Sequence, residues 1–408
     1  MKNIFLASIA IGGLLGLTIT NLNAQSTLGR SDLQLNTITT AVPFLLIAPD
    51  SRAGALGDAG VATSPDANSI HWNPAKMAFI EKDMGLSISY SPWLRKLVPD
   101  ISLSYVSFYK KLGKDHTLGA SLRYFSLGDI KFTDDVGNAL GDFRPNEFAV
   151  DVAYARKLGE RLSGGIAARY IYSNLTGGID VSGAGTRAGT SFAVDISAFY
   201  TNPDAELFGQ EAIFNVGLNL SNIGAKISYT DDANKDFIPI NMKLGQSLAF
   251  VLDDYNSIAI VTDINKLLVP TPPIYKTDEN GNPELDPITN EQVIESGKNP
   301  NVGVMSGIMQ SFYDAPGGMS EELREYNISA GTEYWYNKQF AIRAGYFHEH
   351  VTKGNRKYIT FGAGLKMSVF SLDFSYLIAT TQNNPLANTM RFSLMFNFDD
   401  FKKQKEAN

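Results

Sequence analysis

The 408-residue chain contains no cysteine. It therefore carries no disulfide, no thiol nucleophile and no lipobox, and is not a lipoprotein by its own sequence. Histidine is scarce, at four residues, which leaves little from which to build a Ser-His-acid site. Charged residues make up 19% of the chain, and a net charge of −7 offers no basic footprint for nucleic acid. Beyond an N-terminal apolar run over 4–20, no stretch approaches the roughly 18 apolar residues a membrane-spanning helix needs. No linker or shift of composition divides the region after residue 83, so one large domain fits better than the two or three soluble ones that the length would suggest.

What is present begins with a secretory signal over 1–24. Lys2 is the basic n-region, the apolar run comes next, and Ala24 before Gln25 is a small residue at the cleavage position. The polar Asn21 and Asn23 favour cleavage over retention as a transmembrane helix. The whole chain is 44% hydrophobic, with 24 Phe and 18 Tyr, compatible with a soluble β protein or an outer-membrane barrel.

The segment 25–82 differs in character from the remainder of the chain. Over 43–75 it is rich in Gly, Ala, Asp and Pro, with Gly54, Gly57 and Gly60 at every third position. Glycine permits tight turns and close approach to another surface. Arg52, Asp58 and Asp66 need partners if buried, and Asn73-Pro74 signals a turn. Phe44, Leu45, Leu46, Ile47 and Trp72 are too apolar for a disordered leader. The reading is a small-residue segment packed inside something larger, a periplasmic or lumenal hatch.

Over 83–398 the pattern becomes strands of alternating apolar and polar residues, at 84–91, 100–112, 116–125, 146–158, 161–175, 190–201, 212–223, 241–252, 257–268, 326–336, 339–350, 357–367, 370–380 and 389–398. That is about fourteen strands of roughly ten residues, the length of a tilted membrane strand. Connections alternate between short and long: 113–115, 159–160, 253–256, 337–338 and 368–369 against 126–145, 176–189, 224–240 and 269–325. An even-stranded barrel with periplasmic termini, short periplasmic turns and long outer loops gives that parity. The connection 202–211 is an exception, long on the periplasmic side. In one strand Phe148, Val150, Val152 and Tyr154 share a face opposite Ala149, Asp151 and Ala153. The polar faces collect Arg123, Asp151, Arg169, Asp195, Lys243, Asp263, Glu333, Arg343, Lys366, Asp373 and Arg391, a lumen of mixed sign that either pairs internally and with Arg52 and Asp58 or faces water. Aromatics at strand ends, Tyr90, Trp93, Tyr170, Tyr172, Phe199, Tyr200, Tyr334 and Tyr336, suggest interface girdles. Residues 399–408 read as a charged periplasmic tail.

Candidate chemistry is sparse. His348 and His350 share a face at the outer end of a strand, but no third ligand is evident, so no metal is expected. Asp278 to Asn282 lacks the calcium-loop rhythm. The long outer loop 269–325 is the strongest functional feature. After a Pro-, Asp- and Asn-rich stretch, Met305, Ile308, Met309 and Phe312 are spaced for one helical face, followed by Tyr313. Such a face either folds over the barrel's own mouth or docks a protein partner, for which a Met-rich surface is adaptable.

Arg52, then Gly54, Gly57, Ala59, Gly60, Val61 and Ala62, then Asp66 and Trp72-Asn73-Pro74-Ala75 resemble the start of the FadL-like outer-membrane barrel superfamily. Within it the stretch looks most like the PorV (LptO) family of the Bacteroidetes type IX secretion system, with the paralogous PorQ family sharing the motif. The resemblance implies an all-β, single-chain transmembrane barrel in the outer membrane with an N-terminal hatch. It implies a non-enzymatic adaptor without cofactors, which binds the C-terminal domain of secreted proteins at a SprA/Sov-type translocon. The adaptor then passes them to a surface attachment complex containing the sortase PorU. Outer-membrane lipid and lipopolysaccharide would surround it. The alternatives are FadL-like transport of hydrophobic small molecules, against which the charged lumen counts, and a lipid hydrolase, which the histidines support poorly.

Overall fold

The computed structural model describes residues 35–94, 100–133, 139–178, 185–230, 235–278, 282–381, 384 and 386–399. The signal peptide 1–24, residues 25–34, the centre of the rejected calcium loop (279–281) and the tail from 400 lie outside the described residues.

In chain order the strands are β1 (Met84–Pro92), β2 (Ile101–Lys111), β3 (His116–Leu127), a small hairpin of β4 (Ile130–Thr133) and β5 (Ala139–Phe143), β6 (Asn146–Lys157), β7 (Leu162–Asn174), β8 (Gly189–Leu207), β9 (Gln210–Gly224), β10 (Asn241–Val251), β11 (Asn256–Leu267), a second small hairpin of β12 (Ile274–Tyr275) and β13 (Ile294–Ser296), β14 (Asn327–Tyr336), β15 (Phe340–His348), β16 (Lys357–Lys366), β17 (Phe370–Ala379) and β18 (Met390–Asn397). The fourteen long strands form a closed antiparallel barrel. Each pairs with the next long strand, β3 with β6 and β11 with β14 across the small hairpins. β1 meets β18 with Ile88 opposite Leu394, leaving the barrel no open edge.

The alternation decides which side of the wall each residue takes. Along β6, Ala149, Asp151 and Ala153 are buried inward, while Val150 and Val152 are exposed outward. Ile88, Ile166, Phe192, Ile196, Ile342 and Phe361 continue an outward apolar surface around the barrel. A patch of that extent suits hydrocarbon, not water. Trp93 and Phe199, expected in the aromatic girdles, instead turn inward: Trp93 joins the inner core, and Phe199 packs 5.9 Å from Phe79.

One end of the barrel carries the tight connections, the start of β1 and the end of β18, and is the periplasmic end by the parity argument. The expected long periplasmic connection at 202–211 is absent. β8 and β9 instead run on as a hairpin closed by Phe208-Gly209, both at positive φ (54° and 74°). Two left-handed residues suit the tight hairpin turn that matches strand twist.

Residues 42–80 occupy the lumen as short helical turns, Pro43–Leu46, Ser51–Gly54, Ser69–Trp72 and Pro74–Phe79. Val42, Phe44 and Leu45 pack with Leu103, Phe125, Ile171, Phe237 and Leu268 in one cluster, and Ile70, Met77 and Ala78 with Tyr105 and Tyr109 in another. The leading end of this segment lies at the outer mouth. The Asn36 amide donates to Thr352 O (3.0 Å), its side chain to Pro272 O (3.1 Å) and Glu321 (3.0 Å), and the Ala41 amide to Phe237 O (2.9 Å). Thr352, Pro272, Glu321 and Phe237 all belong to outer loops. The chain thus passes inward from outer mouth to periplasmic rim before β1 begins, which amends the periplasmic or lumenal expectation at its leading end. Val42 and Phe44 find their apolar cover near the outer mouth, among Phe237, Ile238, Leu268 and Val269.

Candidate functional site: the lumenal segment and the outer loop

Of the glycines at every third position, Gly54 and Gly57 mark where the segment touches the wall, and Gly60 where it folds on itself. Gly57 has φ +70°, and a Cβ there would lie 2.5 Å from Tyr346 O. A Cβ on Gly345 of β15 would in turn strike the Gly57 backbone. No larger residue fits either position, so backbone meets backbone. Gly54 lies against Arg391, and Gly60 against the Trp72 ring.

Buried backbone groups in an irregular segment need partners, and small polar side chains of the wall supply them. The Ser51 amide donates to Ser393 Oγ (2.8 Å), Gly57 N to Thr360 Oγ1 (2.9 Å), and Gly60 and Val61 N both to Asp263 Oδ2 (2.7 and 3.0 Å). The Trp72-Asn73-Pro74 turn is held likewise. Asn219 donates to Trp72 O (3.0 Å), Asn73 donates to Ala198 O (3.0 Å) and Val61 O (3.2 Å), and the Trp72 indole donates to Asp50 (2.6 Å). The helical turn Ser51–Gly54 is capped by Asp50, which accepts from Ala53 N.

The charges pair. Arg52 reaches both oxygens of Glu333 (3.0 and 2.8 Å), Asp66 (3.0 Å) and Ser64 Oγ (2.6 Å), which brings two motif residues onto the wall. Arg343 links Glu333 and Asp373 at 2.6 Å each. Arg169 joins Asp151 and Asp195, and Arg391 reaches Asp58 at 3.3 Å. Of the two readings of the lumen, internal pairing describes these groups. Lys366 differs, being exposed at the end of its strand. Among the described residues Arg123 forms no ion pair with a carboxylate; it donates to Leu45 O (2.7 Å) and contacts His71 Nδ1. The wall serines, threonines and asparagines that hold the segment escaped the sequence reading. Their only signal was small polar residues at inward positions.

Cavities lined by the described residues lie at both ends of the lumen. One of about 610 Å³ faces the periplasmic end, between Arg52, Asp66, Phe79, Trp335 and Lys338. One of about 390 Å³ lies at the outer mouth, between Ile38, Pro43, Leu46, Lys353 and Arg356. A pit of about 70 Å³ lies beneath it.

The outer loop is anchored, not loose. Lys266 donates to Glu325 (2.6 Å) and Glu322 (3.2 Å), Lys353 to Glu321 (2.6 Å) and Glu325 (3.0 Å), and Thr271 Oγ1 to Glu325 (2.7 Å). Glu322 also accepts from the Asp314 and Ala315 amides (2.7 and 2.9 Å). Burial, with Glu322 and Glu325 nearby, pushes the Asp314 carboxyl up to about 6. Among the described residues its Oδ1 has no hydrogen-bond partner.

The expected single helical face divides in two. The helix Val304–Gln310 turns Val304, Gly307 and Ile308 toward the barrel's inner core, where Gly307 meets Phe237. Met305 and Met309 face outward, 67% and 63% exposed, and Phe312 and Tyr313 come after them. The helix is only 7 residues long, so its i, i+3, i+4 pattern had room to serve two surfaces. Met319 and Leu323 add further exposed apolar side chains on the same loop.

The histidines do not converge. His71 packs edge-on to Trp72, His116 bonds Tyr154, His348 lies near Tyr346, and His350 bonds Thr352. Among the described residues no three His, Cys, Asp or Glu gather as a metal site.

Solved structures similar to this barrel include the Pseudomonas putida toluene transporter TodX (12% identity, TM-score 0.45, covering 89% of this chain and 98% of that one). The CymD monoaromatic hydrocarbon channel is another (13%, 0.47, 86% and 98%), and a Pseudomonas aeruginosa FadL homologue a third (12%, 0.42, 86% and 99%). No curated protein matches the chain. The family model for type IX secretion system protein PorV matches residues 30–274, more than half of the chain. An outer-membrane barrel carrying that match over its lumenal segment and nine of its long strands belongs to the PorV family of the type IX secretion system.

Proposed function

We propose that the protein is a non-catalytic adaptor of type IX secretion. It receives the C-terminal domain of a secreted protein at a SprA/Sov-type translocon and delivers it to the PorU-containing attachment complex. It supplies no energy and breaks no bond. The observation that carries this reading is the outer loop: Met305, Met309, Phe312, Tyr313, Met319 and Leu323 are exposed on a segment fixed by buried ion pairs. Apolar side chains held out from a rigid support suit a protein surface, and methionines adapt to varied partners. The lumenal segment, bonded along its length to the wall, favours this over passage of a hydrophobic solute.

The test replaces 270–318 by a short Gly/Ser turn and compares what copurifies with the barrel from outer membranes. Loss of secreted C-terminal domains or of the translocon, with the barrel still folded, is expected. A Met305→Ser/Met309→Ser variant, which keeps the anchoring ion pairs, is expected to show the same loss more mildly. Retention of every partner by both variants refutes the loop as the docking surface. Lipid in place of protein on the intact chain favours the transporter reading.

A further inference from the structure

The outward side of the wall should be apolar where it meets hydrocarbon. Midway along their strands, Ile88 on β1, Val152 on β6, Ile166 on β7, Ile196 on β8 and Phe361 on β16 obey this and are exposed. One sector departs from it. Gln246 lies midway along β10, between Gly245 and Ser247. Ser247 is buried inward, and a Cβ on Gly245 would strike Asp263 and Val61 inside the lumen, so Gln246 faces out. Thr262 on β11 lies between the inward Val261 and Asp263. Thr332 on β14 lies between Gly331, which abuts Leu56, and the inward Glu333. The same alternation turns Ala330 on β14 and Ala344 on β15 outward.

Register joins these residues into one patch. Gln246 is directly opposite Thr262, Thr262 opposite Ala330, and Thr332 opposite Ala344. Across four adjacent strands the wall presents a carboxamide, two hydroxyls and two methyl groups. Among the described residues neither the Gln246 side chain nor the two threonine hydroxyls form a hydrogen bond. A primary amide has two donors and an acceptor oxygen. Lipid tails satisfy none of them, so an amide left facing lipid is costly. Alanine in place of a bulky side chain forgoes contact with lipid but lets another wall come close.

We propose that this face, from β10 to β15, is where a second copy of the chain packs within the membrane, about a two-fold axis along the membrane normal. Two copies inserted in the same direction hold Gln246 at the same depth. A carboxamide is self-complementary, so each donates to the other's oxygen. A different partner would need a polar group of its own placed at that depth. Two-fold pairs, in which one patch meets itself, are the commonest protein oligomers. Four strands about 4.8 Å apart, over an apolar band about 25 Å tall, give a face of roughly 480 Å² per copy. Two such faces approach the roughly 1,000 Å² that a specific interface needs, which makes the pair a weak one. The loop 269–325 leaves the wall at β11 and returns at β14, so pairing here sets two outer loops side by side.

The chain lacks cysteine, so a single introduced thiol reports on its own surroundings. Gln246→Cys in outer membranes, oxidised with copper phenanthroline, is expected to run as a covalent dimer on a non-reducing gel. Ile88→Cys, across the ring of strands from β10, is expected to stay monomeric. Gln246→Leu, which suits lipid, is expected to leave the barrel folded and to weaken dimerisation in mild detergent at least tenfold, read as mass by light scattering. No dimer from Gln246→Cys, equal dimer from both cysteine variants, or undiminished dimerisation of Gln246→Leu overturns the proposal. A photoreactive crosslinker at Thr262 that captures lipid or a different protein, and not a second copy, overturns it as well and assigns the face to that occupant.

Discussion

Arg52→Met should loosen the lumenal segment without opening the barrel. The change keeps the side chain's length and removes its contacts to Glu333, Asp66 and Ser64. The local cluster falls from two cations (Arg52, Arg343) against three acids (Asp66, Glu333, Asp373) to one against three. Breaking a buried ion pair on one side costs about 3–5 kcal/mol. Glu333 keeps Arg343 at 2.6 Å, and Arg52 is 13% exposed, which argues for the low end. About 3 kcal/mol is a roughly hundredfold change in an opening equilibrium. Hydrogen exchange of amides over 50–66, in detergent or nanodiscs, should therefore accelerate roughly a hundredfold, while strand amides on the far side of the barrel keep their rates. Adding Glu333→Gln should restore part of the protection, because one of the uncompensated charges goes with it. Arg52→Lys should fall between, since an ammonium lacks the planar fork that spans Glu333 and Asp66 together. An acceleration below threefold in Arg52→Met, or an equal acceleration around the whole barrel, refutes the reasoning.

The outer loop should respond to pH through Asp314, whose carboxyl is raised from 3.8 to about 6. The folded loop binds this proton more tightly than the unfolded one, so stability is greatest below about 4, declines as pH rises to about 6, and is level above. The ionised group then costs roughly 3 kcal/mol. Limited proteolysis within 269–325 should be slower at pH 5 than at pH 7.5, and Asp314→Asn should be slow at both; the same pH dependence in both proteins refutes the assignment. Separately, an epitope inserted directly before Leu35 should be reached by antibody on intact cells, because Asn36 is bonded to outer loops. Labelling only after the outer membrane is permeabilised refutes the path of the lumenal segment.

The wall was legible because two-residue alternation and loop parity are each enforced at every strand, so an error in one place is corrected by the next. Parity failed only at 202–211, where Thr201, Asn202 and Pro203 break the apolar alternation and hide a hairpin that continues through them. Inside the barrel no such periodicity exists. Arg52, Asp66 and Asn73 announce that they need partners, but Glu333 lies 281 residues from Arg52 and Ala198 lies 125 from Asn73. Only closure of the sheet selects these partners from the many acids and carbonyls available. The same holds for Met305 and Ile308, whose spacing defines a helix but not which side finds the barrel; Phe237, contributed by another loop, decides that. Lys243 is the converse case: its inward position is readable from alternation alone, yet only the closed structure shows its ammonium lying 4.5 Å over the Trp72 ring, a contact that the spacing of neither residue announces.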